Sequence, residues 1–162
     1  MSDQKNITRI DHLFSADIDL ESWGFYPNVS AGVRVNNVIK GGEVFDKEGN
    51  VVGSVVAGGE MNQLLRFNGV FDLEGRITFK LNDGNLVYVP YEGRADFCKG
   101  EELEAFANGE IVAPLNIYMA VPVESTNPAI NRMYAFAVGR LDDAKNPTKA
   151  MIDIYEFECM PI

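Results

Sequence analysis

The segment from Gly69 to Gly93 shows the clearest alternation of apolar and polar positions in the chain. The apolar positions share one parity: Phe71, Leu73, Ile77, Phe79 and Leu81. The polar positions share the other parity: Asp72, Glu74, Arg76, Thr78 and Lys80. Because successive side chains of a strand point to opposite faces, the segment is predicted to be a strand with one apolar and one charged face. Residues 82–85, Asn-Asp-Gly-Asn, have hairpin turn chemistry, so residues 86–91 are expected to run back antiparallel.

Similar patterns elsewhere predict strands over most of the chain. The further expected strands are 13–20, 33–45, 51–57, 62–67, 111–123, 133–140 and 151–159. Residues 23–28 are expected to be a loop, and Gly41-Gly42 a bulge or bend within a strand. Residues 101–108 are predicted to form a helix, and Asn127-Pro128 to start a short helical turn.

These elements predict an all-β fold, a single antiparallel β-barrel of about eight to ten strands with one or two short helices. A chain of 162 residues is expected to be one domain, 1–162, with residues 1–9 a loosely ordered N-terminus. Closure into a barrel would remove the exposed sheet edges. A barrel of this size is either filled by side chains or holds one small ligand, and the pattern leaves both alternatives open.

Charge and cysteine content narrow the classes of partner. With 24 acidic and 14 basic residues, the chain has a net charge of −10, which disfavours nucleic acid and anionic membrane surfaces as partners. No apolar run approaches the length of a membrane helix, and residues 1–9 lack the apolar core of a signal peptide. We therefore expect a cytoplasmic protein in which Cys98 and Cys159 are reduced thiols.

Metal and nucleophile chemistry have little support in the sequence. His12 is the one histidine of the chain, and no histidine or cysteine pair has metal-ligand spacing. A Ser–His–Asp relay would have to use His12, but Ser15, three residues on in a strand, is expected on the opposite face. The glycines at 53 and 58 lack the lysine of a phosphate-binding loop. We expect neither a metal nor a cofactor.

The polar row of the central strand has two interpretations. Asp72, Glu74 and Arg76 can face water and form solvated cross-strand pairs, each contributing less than about 1 kcal/mol. Alternatively, the row points into the barrel, where converging polar groups would form a ligand site. The other expected members of such a site are Gln63, Tyr88, Tyr118 and Glu124.

The order of several short motifs resembles a known family. The motifs are Gly41-Gly42, Val52 to Gly59, Gln63, Asn68 to Arg76, Asn82-Asp83-Gly84, Val87-Tyr88-Val89 with Gly93, Phe136 to Gly139 and Ile152 to Glu156. They resemble the family catalogued as domain of unknown function 3237. Its pattern includes an Asp-Trp-Gln triplet, an Asp-Ala-Arg segment and Ile-Tyr-Val-x-Asn-x-Gly. The resemblance implies a single-domain antiparallel β-barrel, mostly bacterial, and no established general activity.

The chain departs from the family pattern where a pocket would be shaped. Met61-Asn62 stands in place of Asp-Trp, and Glu74-Gly75-Arg76 in place of Asp-Ala-Arg. The resemblance therefore carries over Gln63, Asp72, Glu74 and Arg76 as lumen candidates, with weaker support for Tyr118 and Glu124.

Two functions follow as hypotheses. In the first, the barrel binds a small organic molecule, either as a binding module or as a cofactor-free enzyme of the isomerase or cyclase type. In the enzyme, Glu74 or Asp72 would move the proton and Arg76 and Gln63 would hold a carbonyl or carboxylate. In the second, the barrel is filled, and the protein is a structural or interaction module that forms homo-oligomers. The aromatic residues Trp23, Phe25 and Tyr26 would then cover an interface or the barrel mouth.

Overall fold

The computed structural model describes residues 8–95, 104–105, 108, 110, 116–143 and 146–159. Within these residues the chain forms nine strands and one turn of 3-10 helix. The strands are β1 (Thr8–Val29), β2 (Gly32–Phe45), β3 (Val51–Val55), β4 (Glu60–Arg66), β5 (Phe71–Leu81), β6 (Leu86–Ala95), β7 (Asn116–Ser125), β8 (Arg132–Leu141) and β9 (Lys149–Cys159).

The described strands form one antiparallel sheet that closes into a ring. From β4 to β9 each strand pairs with the next along the chain, β9 pairs with β1, β1 pairs with β2, and β2 pairs with β4. The short strand β3 lies beside β4, between β2 and β5. The prediction of an all-β, closed antiparallel sheet of eight to ten strands is therefore confirmed.

Apolar side chains fill the interior of the ring. The fully buried large residues include Ile18, Ile39, Met61, Leu65, Phe71, Ile77, Phe79, Ile117, Leu141 and Ile154. On β5 the apolar parity points inward, so Asp72, Glu74 and Arg76 lie on the outer face. Of the two orientations that the sequence leaves open for this row, the structure has the one that faces solvent, so the row does not line a lumen. Each large apolar side chain gains about 1.5–3 kcal/mol from burial, whereas the opposite orientation would bury unpaired charges.

The longest strand differs from its prediction. Residues 23–28 were expected to form a loop, but they belong to β1, which runs unbroken for 22 residues. Its register with β2 has three irregularities, and two of them accommodate the aromatic and proline residues of this stretch. The third lies beside Gly41-Gly42, as expected of a glycine pair within a strand. Both glycines have positive φ, and a Cβ at Gly42 would overlap the carbonyl oxygen of Asp17.

The helical predictions are only partly within the described residues. Most of the expected helix 101–108 lies outside them, although Glu104 and Ala105 are helical and the Asn108 amide donates to the Glu104 carbonyl at 2.9 Å. The turn after Asn127 is confirmed as a 3-10 helix over Pro128–Ile130. Of the expected loose N-terminus, residues 1–7 lie outside the described part, as do Cys98 and the Cys159 side chain. Among the described residues, no helix is long and apolar enough to cross a bilayer.

Candidate functional site

A row of outward-facing residues crosses five neighbouring strands, and four of its five members are polar. Each stands directly opposite the next in the sheet register: Asn36, Asn62, Glu74, Glu92 and Ala120. They come from β2, β4, β5, β6 and β7, so one residue of each strand contributes. Directly opposed residues of an antiparallel pair have Cβ atoms about 4.5–5.5 Å apart. Glu74 is therefore within contact range of Asn62 on β4 and of Glu92 on β6.

Three adjoining recesses open along this row, and together we call them the outer groove. Their volumes are about 590, 480 and 380 Å³, within the range of small-molecule sites. The first includes Arg34, Arg66, Asp72 and Arg94; the second includes Glu60, Arg76, Tyr88 and Pro90; the third includes Trp23, Asn36 and Asn37. Asn62 and Glu74 line all three, so these two residues mark the centre of the groove.

The carboxylate at the centre of the groove has no compensating partner. Glu74 faces Glu92 across the β5–β6 ladder, and directly opposed like charges are destabilising. Within the described part of the chain, neither carboxylate forms an ion pair or a side-chain hydrogen bond. Glu74 is therefore available to a ligand, at a cost to stability that a bound cation, proton or hydroxyl group would offset.

Asp72, the second catalytic candidate, is in a different situation. Its carboxylate accepts a hydrogen bond from Nε of Arg66 and lies 3.7 Å from Nε of Arg94. These two arginines come from β4 and β6, on either side of β5. The Asp72 carboxylate is thus already neutralised at the edge of the groove, where it holds two cations in place.

The ligand candidates on the outer face are spread over a longer surface. Arg76 lies in the groove and Tyr88 at one end of it. Tyr118 instead lines a neighbouring apolar recess, and Glu124, opposite Tyr88 in the register, is exposed and lines none of the recesses described here. The structure therefore brings Asp72, Glu74, Arg76 and Tyr88 together and leaves Tyr118 and Glu124 at the margins.

Gln63 is the one sequence-predicted site residue that faces the interior of the ring. It is fully buried, as are Asn37 at 1% exposure and Tyr91 at 3% exposure. None of the side-chain polar atoms of Gln63 and Asn37, nor the Tyr91 hydroxyl, has a hydrogen-bond partner among the described residues. Burial, with a further contribution from the Glu74 charge, raises the pKa of Tyr91 well above its usual value. Gln63 therefore cannot contact a ligand held in the outer groove alongside Arg76.

An apolar recess of about 570 Å³ adjoins the outer groove on β7 and β8. Its exposed residues include Met133 and Tyr134, 79% and 78% exposed. The Phe136 ring stacks on Phe157 at 4.5 Å between centroids. This apolar recess and the first recess of the outer groove share Ala120, whose small side chain adds little bulk between them.

The structure corrects the prediction about His12 and Ser15. A register shift between His12 and Phe14 places both side chains on the outer face, and His12 Nε2 lies 2.9 Å from Ser15 Oγ. The Ser15 hydroxyl donates to Asp153 Oδ1 at 2.5 Å, and Nδ1 of His12 is buried without a partner. In a nucleophilic relay the carboxylate would orient the histidine. Here the carboxylate accepts a hydrogen bond from the serine hydroxyl instead, so we interpret the cluster as structural. No cluster of metal-ligating side chains occurs in the described ranges.

Sequence reasoning missed several residues of the outer groove. Glu92 was missed because a turn over residues 82–85 places Gly93 opposite Glu74, whereas the observed hydrogen bond from the Leu81 amide to the Asn85 carbonyl shortens the turn and pairs Glu74 with Glu92. Arg34 and Asn62 depend on the pairing of β2 with β4, which no local pattern encodes. Trp23 was noted as an interface aromatic, and its position at the groove follows only from the course of β1.

Solved structures of similar fold come from distant organisms. A protein of unknown function from Clostridium acetobutylicum has a TM-score of 0.74 at 22% identity, covering 94% of this chain and 100% of its own. A β-barrel-like protein from Acinetobacter baumannii has a TM-score of 0.66 at 21% identity, covering 97% and 100%. A structure described as an enzyme from Penicillium herquei has a TM-score of 0.60 at 14% identity, covering 96% and 100%.

None of the curated proteins matches the chain. The structural similarities, at these identities, establish a shared fold. The family model described as protein of unknown function (DUF3237) matches residues 8–157, nearly the whole sequence. The chain therefore belongs to the DUF3237 family.

Proposed function

We propose that this protein binds a small organic molecule in the outer groove and acts on it by acid–base chemistry centred on Glu74. The observation that carries the proposal is the position of Glu74, which lines all three recesses and has no ion-pair partner among the described residues. A general base must be within hydrogen-bond reach of its substrate, and a carboxylate already held by arginines, such as Asp72, is less suited to that role.

The neighbouring residues supply the other roles. Arg76 and Arg34 lie on either side of the central row and form no ion pair with any described residue, so each is available to a carbonyl or carboxylate oxygen of the substrate. Glu92, opposite Glu74, can deliver a proton while Glu74 removes one. Isomerisation, cyclisation and hydration need only such paired proton transfers and no cofactor.

The fold comparison supports chemistry on this scaffold. One structure of the same fold is described as an enzyme, and it aligns over 96% of this chain. At 14% identity this supports a catalytic use of the scaffold and says nothing about the substrate. We also propose a cytoplasmic location, and a small molecule rather than nucleic acid or membrane as the partner, on the strength of the acidic composition.

Mass spectrometry of small molecules that co-purify with the native protein tests this function. We expect a ligand that the wild-type protein retains, and that Glu74→Gln and Arg76→Ala lose at least about tenfold, as expected for lost charged contacts. Lys80→Ala is the matched control, because Lys80 is exposed on the same face of β5 but lines none of the recesses. Equal retention by all four proteins, or no retained molecule, would count against the proposal.

A homo-oligomer without catalysis is the second candidate function, and the filled interior and the apolar recess favour it. Met133 and Tyr134 are among the most exposed large apolar residues, and they lie together on β8. A second copy of the chain would bury them. Light scattering after size exclusion tests this idea. We expect an oligomer that Tyr134→Lys dissociates, whereas a monomeric wild-type protein would exclude this alternative.

A further inference from the structure

The third recess of the outer groove has a construction that the acid–base role of Glu74 does not explain. Trp23 is the extra residue of a β-bulge, because Ser22 pairs with Asn37 and Gly24 pairs with Asn36. A bulge redirects the side chain of its unpaired residue and is often found beside a binding site. The indole therefore lines the recess directly opposite the two asparagines while remaining 70% exposed.

The floor of the recess carries an amide oxygen that nothing in the described chain satisfies. Asn36 and Asn62 stand opposite one another on the outer face and line the recess. The Oδ1 atom of Asn36 is buried and has no hydrogen-bond partner among the described residues. A buried amide oxygen without a partner costs about 1–3 kcal/mol, so this group favours a bound molecule that completes its hydrogen bond.

The mixture of donors and acceptors restricts the chemistry of that molecule. Glu60 and Glu74 only accept hydrogen bonds, whereas Arg34 only donates them. An anionic ligand would meet the two carboxylates, and a cationic ligand would meet the guanidinium. Hydroxyl groups both donate and accept, so a neutral ligand with several hydroxyls satisfies the acids, the arginine and the amides together.

The exposed indole adds a requirement for a flat, partly apolar face. Pyranose sugars have such a face, formed by ring C–H groups, while their hydroxyls project around the rim. A recess of about 380 Å³ has room for one such ring. Linear polyols have the hydroxyls but no rigid apolar face, and flat aromatic acids have the face but carry a charge.

We propose that the recess beneath Trp23 binds the pyranose ring of a neutral sugar or glycoside, stacked on the indole and hydrogen-bonded by Asn36 and Asn62. This inference names the ligand class of the outer groove and so rests on the groove being a binding site. Glu74, which borders the recess, then stands beside the sugar at the point where the rest of a glycoside would extend into the other two recesses.

The protein contains a single tryptophan, so its fluorescence reports directly on this recess. We expect titration with methyl β-glucopyranoside, methyl α-mannopyranoside, methyl β-galactopyranoside and N-acetylglucosamine to give, for at least one, a saturable blue shift with a Kd on the order of 1 mM. Sorbitol and benzoate should give none. If no pyranoside shifts the emission at up to roughly 100 mM, about 100-fold above that Kd, the proposal is wrong.

Variants separate stacking from nonspecific effects, with saturation-transfer NMR as the measurement because Trp23→Ala removes the fluorophore. Trp23→Ala and Asn36→Ala should each weaken binding at least about tenfold, the change that corresponds to a lost ring contact or hydrogen bond. Tyr26→Ala is the control, since Tyr26 lies on the same strand, is 42% exposed and does not line the recess. Equal weakening by the control would contradict the assigned site.

The same experiments distinguish failure of this inference from failure of the proposed function. If co-purified ligands depend on Glu74 but no pyranoside binds, only the sugar assignment is overturned. If a pyranoside binds through Trp23, but Glu74→Gln changes neither the binding nor the turnover of any glycoside, the sugar site is supported and the catalytic role of Glu74 is overturned.

Discussion

The Tyr91 side chain lies over Gly75 of the neighbouring strand. The two residues are directly opposed in the β5–β6 ladder, and a Cβ at Gly75 would come within 2.6 Å of Tyr91 Cζ and would overlap its hydroxyl. The family pattern has alanine and asparagine at these two positions. The larger side chain at 91 thus occupies space that the glycine at 75 leaves free.

We expect Gly75→Ala to lower the free energy of unfolding by about 1–3 kcal/mol, because the new methyl group also meets the Glu60 carbonyl oxygen. In a Tyr91→Asn background the same substitution should cost at least about 0.5 kcal/mol less. Urea denaturation of the four proteins measures this difference. Equal costs in the two backgrounds would show that the residues are not coupled.

Replacing the buried phenol should stabilise the protein. The Tyr91 hydroxyl is buried without a partner among the described residues, so Tyr91→Phe should raise the free energy of unfolding by about 1 kcal/mol near pH 7. Tyr134→Phe, at a tyrosine 78% exposed, is the matched control and should change it little. If Tyr91→Phe instead lowers the free energy of unfolding, the hydroxyl makes a stabilising contact.

The same variant should change how the free energy of unfolding depends on pH in the alkaline range. Burial and the Glu74 charge raise the pKa of Tyr91 above 10, its usual value, so the unfolded chain releases this proton before the folded protein does. Deprotonation of the unfolded chain therefore leaves the free energy of unfolding unchanged below pH 10 and lowers it as the pH rises further. Denaturation between pH 8 and about pH 11 should therefore show a smaller loss for Tyr91→Phe than for the wild type. An equal loss of unfolding free energy in the two proteins would contradict the assignment of this pH dependence to Tyr91.

The hydrogen bonds around Ser15 should contribute measurably to stability. Ser15→Ala leaves the Asp153 carboxylate and His12 Nε2 without their serine partner, and we expect a loss of about 1–2 kcal/mol in urea denaturation. Ser54→Ala, at an exposed serine on β3, provides the comparison. If both variants unfold at the same urea concentration, the cluster contributes nothing.

Asp142 should stabilise the β8–β9 connection in a pH-dependent manner. Burial tends to raise its pKa, but hydrogen bonds from Thr148 and Lys149 outweigh that effect and hold the pKa below the usual 3.8. The contribution is therefore present above pH 3.8 and is lost as the pH falls through the lower folded value. Asp142→Asn should cost about 1 kcal/mol at pH 7, discounted for the partial exposure of the carboxylate.

That cost should shrink progressively below pH 3.8, because the wild-type carboxylate then also becomes neutral. Thermal denaturation of both proteins from pH 7 to about pH 3 follows the difference. Asp17→Asn, at an exposed residue of β1, serves as the control. A cost that is constant with pH would argue against the hydrogen-bonded carboxylate as its source.

The sequence could predict the β5–β6 hairpin because the alternation of apolar and polar residues and the turn residues between the strands both indicate it. It could not decide the content of the ring, since the same alternation suits a filled interior or a hollow one. The bulges in β1 were beyond local patterns as well. They place His12 with Ser15 and bring Trp23 to the groove, and each depends on the register with another strand.

The candidate site was predicted in part. The alternation predicted that Glu74 and Arg76 share one face, but it left open whether that face is inside the ring; the structure has it outside, because burying that row would leave its charges without water. Gln63, which was grouped with them as an expected member of the ligand site, lies on the opposite face. The residues that complete the groove come from strands joined by pairings that only the closed sheet reveals.

The pairing of β1 with β9 has a consequence for biosynthesis. Residues near the start of the chain bond to residues near its end, with Ile10 opposite Phe157. A ribosome must therefore synthesise all the strands from β1 to β9 before β1 acquires its second neighbour. Contacts so far apart along the chain slow folding into the millisecond-to-second range, and until they form, the free edges of β1 and β9 are accessible to chaperones and to other nascent chains.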